Sequence, residues 1–298
     1  MAEILRYAAF TPPGLPSDPE PQADGGTHAM GGNPAGVVLD AGGLDERDML
    51  RIAAEVGYSE TAFVLGGDEK LRIRYFSPAV EVDFCGHATI AAAVAWAEQH
   101  GPGMLSLETN AGEVVVEVRA VEHGLRATLT SVPTELREVS DADLEEALAS
   151  LDWRRDELDP SVPPRVAFGG VDHLILAAST RGRLARLEYD YDRLLRLMNA
   201  RGWITLQLVF REQPDFFHAR NPFPVGGVVE DPATGAAAAA LGGYVRDLGL
   251  LEPPARFTIS QGEDMGCPSQ LEVEISDTDR RVRVSGLARL MGERAQKV

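Results

Sequence analysis

Two stretches of this chain hold a helix-forming segment without charge, and each stands behind the same kind of turn. From Arg74 the sequence reads RYFSPAVEVDFCGHATIAAAVAWAEQ, and Ala88 to Ala97 carries no charged residue. A helix on a protein surface has a polar face, so small and apolar residues on every side require contact on every side. His100, Gly101 and Pro102 end the run. From Arg220 the chain reads RNPFPVGGVVEDPATGAAAAALGGYV, a degenerate copy in which Arg220 and Pro224 repeat the spacing of Arg74 and Pro78. Both copies pass through a turn into an Ala-rich helix, the second ending near Gly249. Self-similarity at this distance points to a duplicated domain rather than a short-period solenoid.

The 298 residues suit two domains of ordinary size. Strand-like sequence gives way at Ser131-Val132-Pro133 to the acidic helical run DADLEEALAS, which places the boundary there. The first domain is expected at 1–130 and the second at 131–298, with the last residues free to complete the first. Strands are expected at 4–10, 37–39, 61–65, 71–76, 104–109, 113–118 and 125–129, and in the second half at 172–177, 203–210, 257–261, 270–275 and 281–285. Asn33-Pro34-Ala35-Gly36 reads as a turn, and Asp45 as the cap of a helix over 45–56; a second helix is expected at 191–200. Thr11 to Gly32, rich in Pro, Gly and acidic residues, is expected to be a long loop, either a flap over a site or a segment without fixed structure. Many strands around one central helix per domain is an α+β pattern, not the βαβ alternation of a Rossmann sheet. No GxGxxG or GxxxxGK[ST] motif is present, so NAD and ATP lack their usual warrants.

A net charge of −18 argues against nucleic acid or an anionic membrane as partner. Cys85 and Cys267 are the only cysteines, too few for a disulfide framework or a closely spaced thiolate set. MAEILRYAAF is too short and polar for a signal peptide, and no apolar run approaches the roughly 20 residues of a membrane span, so a cytoplasmic chain is expected. Lysine occurs only at 70 and 297, neither well placed for a Schiff base with pyridoxal phosphate. Histidines 28, 100, 123, 173 and 218 lack metal-ligand spacing. A small anion is still admissible, because a helix start carries unpaired backbone N–H groups. Two such starts facing each other across a cleft would seat a carboxylate.

Five residues around the two turns carry chemistry. Glu60, in GYSETAFV, is either a solvated carboxylate at a strand start or a general base. His87, at the start of the first buried helix, is either a cap or a ring that exchanges protons. Asp83 is near enough to pair with it, or caps the turn. Asp231, in EDPATG, holds the corresponding approach to the second helix, where Thr234 and Gly235 could present N–H groups to an anion. Cys85 is either a thiolate base or a small buried residue, and no second cysteine stands near Asp231 to pair with it.

GNPAG at 32–36, SETAF at 59–63, FCGHAT at 84–89, EDPATG at 230–235 and ISQG at 259–262 occur in an order that resembles the PhzF-like isomerases of phenazine biosynthesis, relatives of diaminopimelate epimerase. The resemblance covers nearly the whole chain. It implies a diaminopimelate epimerase-like α+β fold of two similar domains, each a curled β-sheet around a central α-helix, with the site between them. It implies a homodimer without metal or organic cofactor, acting on a small carboxylated molecule by moving a proton, as in the isomerisation of trans-2,3-dihydro-3-hydroxyanthranilate. An amino-acid racemase or epimerase, and a silent metabolite-binding relative, are the alternatives. Carried over residue by residue, Glu60 matches the proton-shuttling glutamate, and Gly86 and His87 the pair lining the site with Ala88 beside them. Asp231 matches the aspartate of the second domain, with Thr234 and Gly235 at the carboxylate-binding helix start. Cys85 resembles the first of the two cysteines that the epimerase relatives use.

Overall fold

The computed structural model describes residues 2–15, 31–66, 71–292 and 296–297. Most of the long loop expected at 11–32 therefore lies outside the described residues, as do His28 and Lys70. The chain divides into two compact units. One comprises Met1–Thr130, Gly266–Gln270 and Ser285–Val298; the other comprises Ser131–Met265 and Leu271–Val284.

In the first unit the elements are β1 (Glu3–Thr11), β2 (Asn33–Val38), α1 (Glu46–Val56), β3 (Thr61–Leu65), β4 (Leu71–Phe76), β5 (Glu81–Val82), α2 (Gly86–His100), β6 (Gly103–Thr109), β7 (Gly112–Val121) and β8 (Gly124–Pro133). The strands show why they form: in β4, Leu71, Ile73 and Tyr75 are buried while Arg72 is exposed, the period-two pattern of a half-buried strand. α1 begins with a capping box between Asp45 and Asp48 and stops at Gly57, whose φ of 73° suits glycine. Its Met49, Ile52 and Ala53 pack with Val38, Phe63 and Phe76.

β1 pairs antiparallel with β2, β2 parallel with β3, β3 antiparallel with β4, and β4 parallel with β6. β6, β7 and β8 continue antiparallel. A strand from the far end of the chain, β17 (Arg281–Leu290), pairs with both β8 and β1 and closes a ring of eight strands. α2 packs against β1, β2, β3 and β7, and from His87 to Ala95 every residue is buried. The charge-free run is thus explained by a helix enclosed on all sides.

One expectation is corrected here. Asn33-Pro34-Ala35-Gly36 is not a turn but the start of β2, with Pro34 opposite Ala8 and Gly36 opposite Arg6. β2 joins β3 only from Gly36 onward, so the donor that proline lacks falls where the strand has a single neighbour. As the sequence allowed, the last residues, Ser285–Val298, complete the first unit, and Gly266–Gln270 count with it too. The cause is the ladder of β17 on β1, Tyr7 opposite Leu290, together with a 2.8 Å hydrogen bond between the Thr128 and Ser285 hydroxyls.

The second unit holds β9 (Glu135–Arg137), α3 (Asp141–Leu151), β10 (Arg165–Phe168), β11 (Asp172–Ala177), α4 (Arg181–Ala185), α5 (Tyr191–Arg201), β12 (Trp203–Gln213), β13 (Phe216–Pro222), β14 (Glu230–Asp231), α6 (Gly235–Asp247), β15 (Ala255–Gln261) and β16 (Ser269–Ile275). A last short strand, β18 (Gln296–Lys297), pairs with the start of β1 in the first unit. The sheet runs β9–β10–β11–β12–β13–β15, with β11–β12 and β13–β15 parallel. Leu174, Leu176, Leu206 and Leu208 of its strands meet Leu144, Leu148, Leu194 and Met198 of α3 and α5. α6, buried from Ala237 to Val245, packs against β9, β10 and β11. The approach is close. A Cβ on Gly169 would stand 2.5 Å from the Ala236 carbonyl oxygen and 2.7 Å from the Ala240 nitrogen.

Each unit also carries the same brace ahead of its buried helix. Arg74 on β4 donates to Glu81 on β5 through Nε and Nη2, both at 2.6 Å. Arg220 on β13 donates to Glu230 on β14 at 2.9 and 2.6 Å, and its Nη1 reaches the Ala185 carbonyl at 2.6 Å. Glu81 and Glu230 stand the same distance before Gly86 and Gly235, the first residues of the two helices.

Gly169→Ala is expected to lower the urea midpoint by the equivalent of about 1–3 kcal/mol. Gly182→Ala, where a new Cβ meets nothing within 4 Å, is expected to be neutral or mildly stabilising. Equal midpoints would remove the case for a backbone-tight seat under α6. Glu230→Gln is expected to cost about 3–5 kcal/mol, because it strands a buried guanidinium. Glu81 is held below the usual carboxylate range first by its hydrogen bond to Arg74, against a burial that raises it. Its contribution is therefore present above the unfolded value near 4.3 and is lost as pH falls through the depressed folded value. Glu81→Gln is expected to flatten the acid limb of a stability–pH profile.

Candidate active site

The α1 helix stops at Gly57, and the short loop that follows delivers Glu60 to the first position before β3. The Glu60 carbonyl accepts from the Gly36 N–H at 3.2 Å, which ties this loop to β2. A Cβ on Gly36 would stand 2.5 Å from the Thr61 hydroxyl, so only glycine allows that approach. The Glu60 side chain then meets the start of α2. Its Oε2 lies 3.5 Å from Cys85 Sγ and 3.4 Å from His87 Nε2, and Cys85 Sγ lies 3.4 Å from His87 Nδ1. The Ser59 hydroxyl stands 3.4 Å from the same Nε2. Cys85 and His87 are buried, and Glu60 keeps 17% of its side-chain surface exposed. A carboxyl, a thiol and an imidazole, each able to carry a proton, are thus in mutual reach with one edge open.

A second layer holds this arrangement. The Thr89 hydroxyl donates to the Cys85 carbonyl at 2.6 Å. Its single proton being used there, the Tyr75 hydroxyl must donate to Thr89 across their 2.6 Å contact. Burial raises the Tyr75 phenol far above its ordinary value, so it keeps that proton. The first hydrogen bond of α2 runs from the Thr89 N–H to the Cys85 carbonyl at 3.0 Å, and Cys85 is an N-cap without a side-chain cap. The N–H groups of Gly86, His87 and Ala88 stand ahead of that bond, where a helix start favours negative charge.

Asp83 does not join this group. It is exposed, and His87 meets Glu60, Ser59 and Cys85 instead. Nor is His87 a cap, since Cys85 occupies that position.

In the second unit the turn before α6 is built differently. The Thr234 hydroxyl donates to Asp231 Oδ2 at 2.5 Å. Gln261, at the end of β15, accepts from the Thr234 N–H at 3.2 Å and donates to the Asp231 carbonyl at 2.8 Å and the Thr234 hydroxyl at 3.1 Å. Thr234 therefore does not present its own N–H to an anion, as the sequence suggested; a glutamine has taken it. The N–H groups of Gly235, Ala236 and Ala237 precede the first helical bond, from Ala238 to the Thr234 carbonyl at 3.0 Å. Glu230 rather than Asp231 is the counterpart of Glu81, which leaves Asp231 without an acidic equivalent in the first unit.

Gln261 is the residue that sequence reasoning passed over. It was readable: β15 buries Phe257, Ile259 and Gln261 in phase, so a polar side chain sits where the strand pattern asks for an apolar one.

The profile of the family described as phenazine biosynthesis-like protein matches residues 26–294. A trans-2,3-dihydro-3-hydroxyanthranilate isomerase from Pseudomonas chlororaphis is 30% identical over 264 residues, covering 86% of this chain and 90% of its own. A predicted epimerase from Pseudomonas aeruginosa superposes with a TM-score of 0.83 at 25% identity, over 100% of this chain and 99% of the other. A probable proline racemase from Agrobacterium radiobacter, at 12% identity and a TM-score of 0.64 over 100% of this chain and 93% of its own, shares the fold. The α+β architecture is thus epimerase-like, and the chain belongs to the phenazine biosynthesis-like, PhzC-PhzF, family.

Proposed function

We propose that this protein is a cofactor-independent isomerase that moves a proton on a small carboxylated molecule, as its relative named for trans-2,3-dihydro-3-hydroxyanthranilate does. The observation that carries the reading is the contact of Glu60 with His87 and Cys85 at the open start of a buried helix. A carbon-bound proton beside a carboxylate or carbonyl leaves only if the charge it strands is stabilised, and backbone N–H groups at a helix start supply that. Glu60 takes the proton, becoming neutral, and returns it at a different carbon, so no proton is gained or lost. His87 holds the carboxylate in position and relays the proton. Asp231, oriented by Thr234 and Gln261, directs a substrate donor group. The homodimer implied by the resemblance and the cytoplasmic location expected from the sequence belong to the same proposal; among the described residues no helix is long and apolar enough to cross a membrane.

One observation favours a second reading. Cys85 Sγ reaches both other groups, so the site holds a second proton carrier of the kind an epimerase uses to protonate the opposite face of one carbon. Deuterium from solvent separates the two. A proton shift places the label at a new carbon; epimerisation places it at the original carbon with inversion.

Incubation of a panel of small carboxylates in heavy water, including the dihydro-hydroxyanthranilate, is expected to give label in at least one, read by mass spectrometry. Glu60→Gln is expected to lower that rate by about 10²–10⁴-fold with an unchanged melting curve. Retained turnover in this variant would end the assignment of Glu60, and ligand binding without exchange would favour a silent relative. Thr234→Val removes a hydrogen bond to a carboxylate, so kcat/KM is expected to fall by about 1.5–3 kcal/mol in transition-state terms. An unchanged kcat/KM would take Asp231 out of the reaction.

A further inference from the structure

The Cys85 carbonyl takes two hydrogen bonds from one residue, the Thr89 N–H at 3.0 Å and the Thr89 hydroxyl at 2.6 Å. A threonine that bonds the carbonyl four residues back is common in helices, and by itself this only satisfies the hydroxyl. Here a third group feeds the pair. The Tyr75 hydroxyl stands 2.6 Å from that of Thr89, and Tyr75, Thr89 and Cys85 are all buried. β4 holds Tyr75 in place, opposite Ala62 of β3 and Val82 of β5. The donors run in one direction, from Tyr75 through Thr89 to the Cys85 carbonyl. At the other end of that peptide is the N–H of Gly86, the first residue of α2, between two members of the Glu60–Cys85–His87 contact.

The second unit lacks this chain of donors. By their spacing from Arg220 and from Gly235, Asn221 and Ala238 hold the places of Tyr75 and Thr89. Ala238 gives its N–H to the Thr234 carbonyl at 3.0 Å and has no hydroxyl to add. Asn221 turns its Nδ2 to the Thr205 hydroxyl at 3.2 Å, and its buried Oδ1 has no partner among the described residues. The duplicated scaffold therefore builds a buried helix without the chain, and leaves a buried oxygen unsatisfied in doing so. The unit with Glu60, Cys85 and His87 is the one that carries it.

We propose that Tyr75 and Thr89 are positioning residues that act through the Cys85–Gly86 peptide, fixing its plane and making the Gly86 N–H a stronger donor to a negatively charged group. Two donors on the carbonyl draw electron density onto its oxygen across the resonant amide, and the hydrogen at the other end becomes more positive. Each upstream donor strengthens the next, and burial in a low dielectric preserves the effect. No proton leaves its atom. The relay rests on the hydrogen bonds alone; its service to a carboxylate substrate rests on the isomerase reading.

Cys267 precedes Pro268, so Cys85–Gly86 is the only cysteine–glycine peptide in the chain. The full-length protein, isotope-labelled at the cysteine carbonyl carbon and the glycine nitrogen, therefore gives a single correlated amide resonance by NMR. Tyr75→Phe keeps the ring and removes the donor, and is expected to move the carbonyl carbon and the Gly86 nitrogen upfield. Thr89→Val is expected to move them further and Thr89→Ser to leave them near their original values. Adding Tyr75→Phe to Thr89→Val is expected to move them no more, because the two act in series. A resonance unmoved by Tyr75→Phe, or moved equally with and without the Thr89 hydroxyl, would overturn the relay. Acetate is a probe that needs no turnover. Followed on the same resonance, its dissociation constant is expected to rise about two- to fivefold in Tyr75→Phe. Equal affinity, or no binding to either protein, would overturn the service to a carboxylate. If the resonance and acetate results are as expected but no substrate exchanges in heavy water, the relay stands and the isomerase reading falls.

Discussion

The structure of the first unit depends on the enclosure of a helix that has no face for water. The run Ile90–Ala95 of α2 consists of alanine, valine and isoleucine alone, so its surface is nearly smooth and its hydrophobic gain per residue is small. Stability from such a helix comes only if strands approach it from all round, and eight strands in a ring do so. The close approach has a local cost in shape. β1 carries a bulge between Ala9 and Thr11, with Phe10 at a φ of 62°, and a Cβ on Gly286 would stand 2.3 Å from the Phe10 ring. A strained residue on one strand is accommodated by a missing side chain on the next.

The same enclosure prepares the chemistry. α2 is buried from His87 to Ala95, and its first N–H groups cannot be satisfied by its own backbone. Whatever stands before Gly86 and Gly235 therefore decides what those groups serve. In the first unit this is a cysteine beside a glutamate and a histidine. In the second it is a threonine committed to an aspartate and a glutamine. The duplicated scaffold has kept the brace and the helix and exchanged the groups at the tip.

Much of this was legible because it rests on local sequence. Ala88 to Ala97 announced burial by lacking charge, Asp45 announced a cap, and Arg74 with Arg220 announced the duplication. Glu60, Cys85 and His87 were also named from sequence, and the structure brings these three together. What stayed hidden depended on pairing between distant residues. Pro34 reads as a turn because its strand role needs β2 to have only one neighbour at that point. Asp83 reads as a partner for His87 because nearness in sequence is visible, whereas the turn that points it to solvent is not. The N–H of Thr234 reads as open because its acceptor, Gln261, arrives from a strand 27 residues later. β10 and β13 escaped notice as strands, being short or interrupted by Arg220-Asn221-Pro222, and their register is set by neighbours rather than by composition.

The closing strand of the ring has a consequence for biosynthesis. Seven of the eight strands, and α2 itself, belong to the first 133 residues, while the eighth, β17, is made only after the whole of the intervening unit. During translation the ring therefore stands open between β8 and β1, with one side of the charge-free run of α2 uncovered. The second unit gathers most of its strands first. For that interval the nascent chain presents an apolar slot and two unpaired strand edges, the features that chaperones bind and that aggregation exploits. The final fold encloses the run from His87 to Ala95, yet the order of synthesis leaves that helix waiting long for its cover.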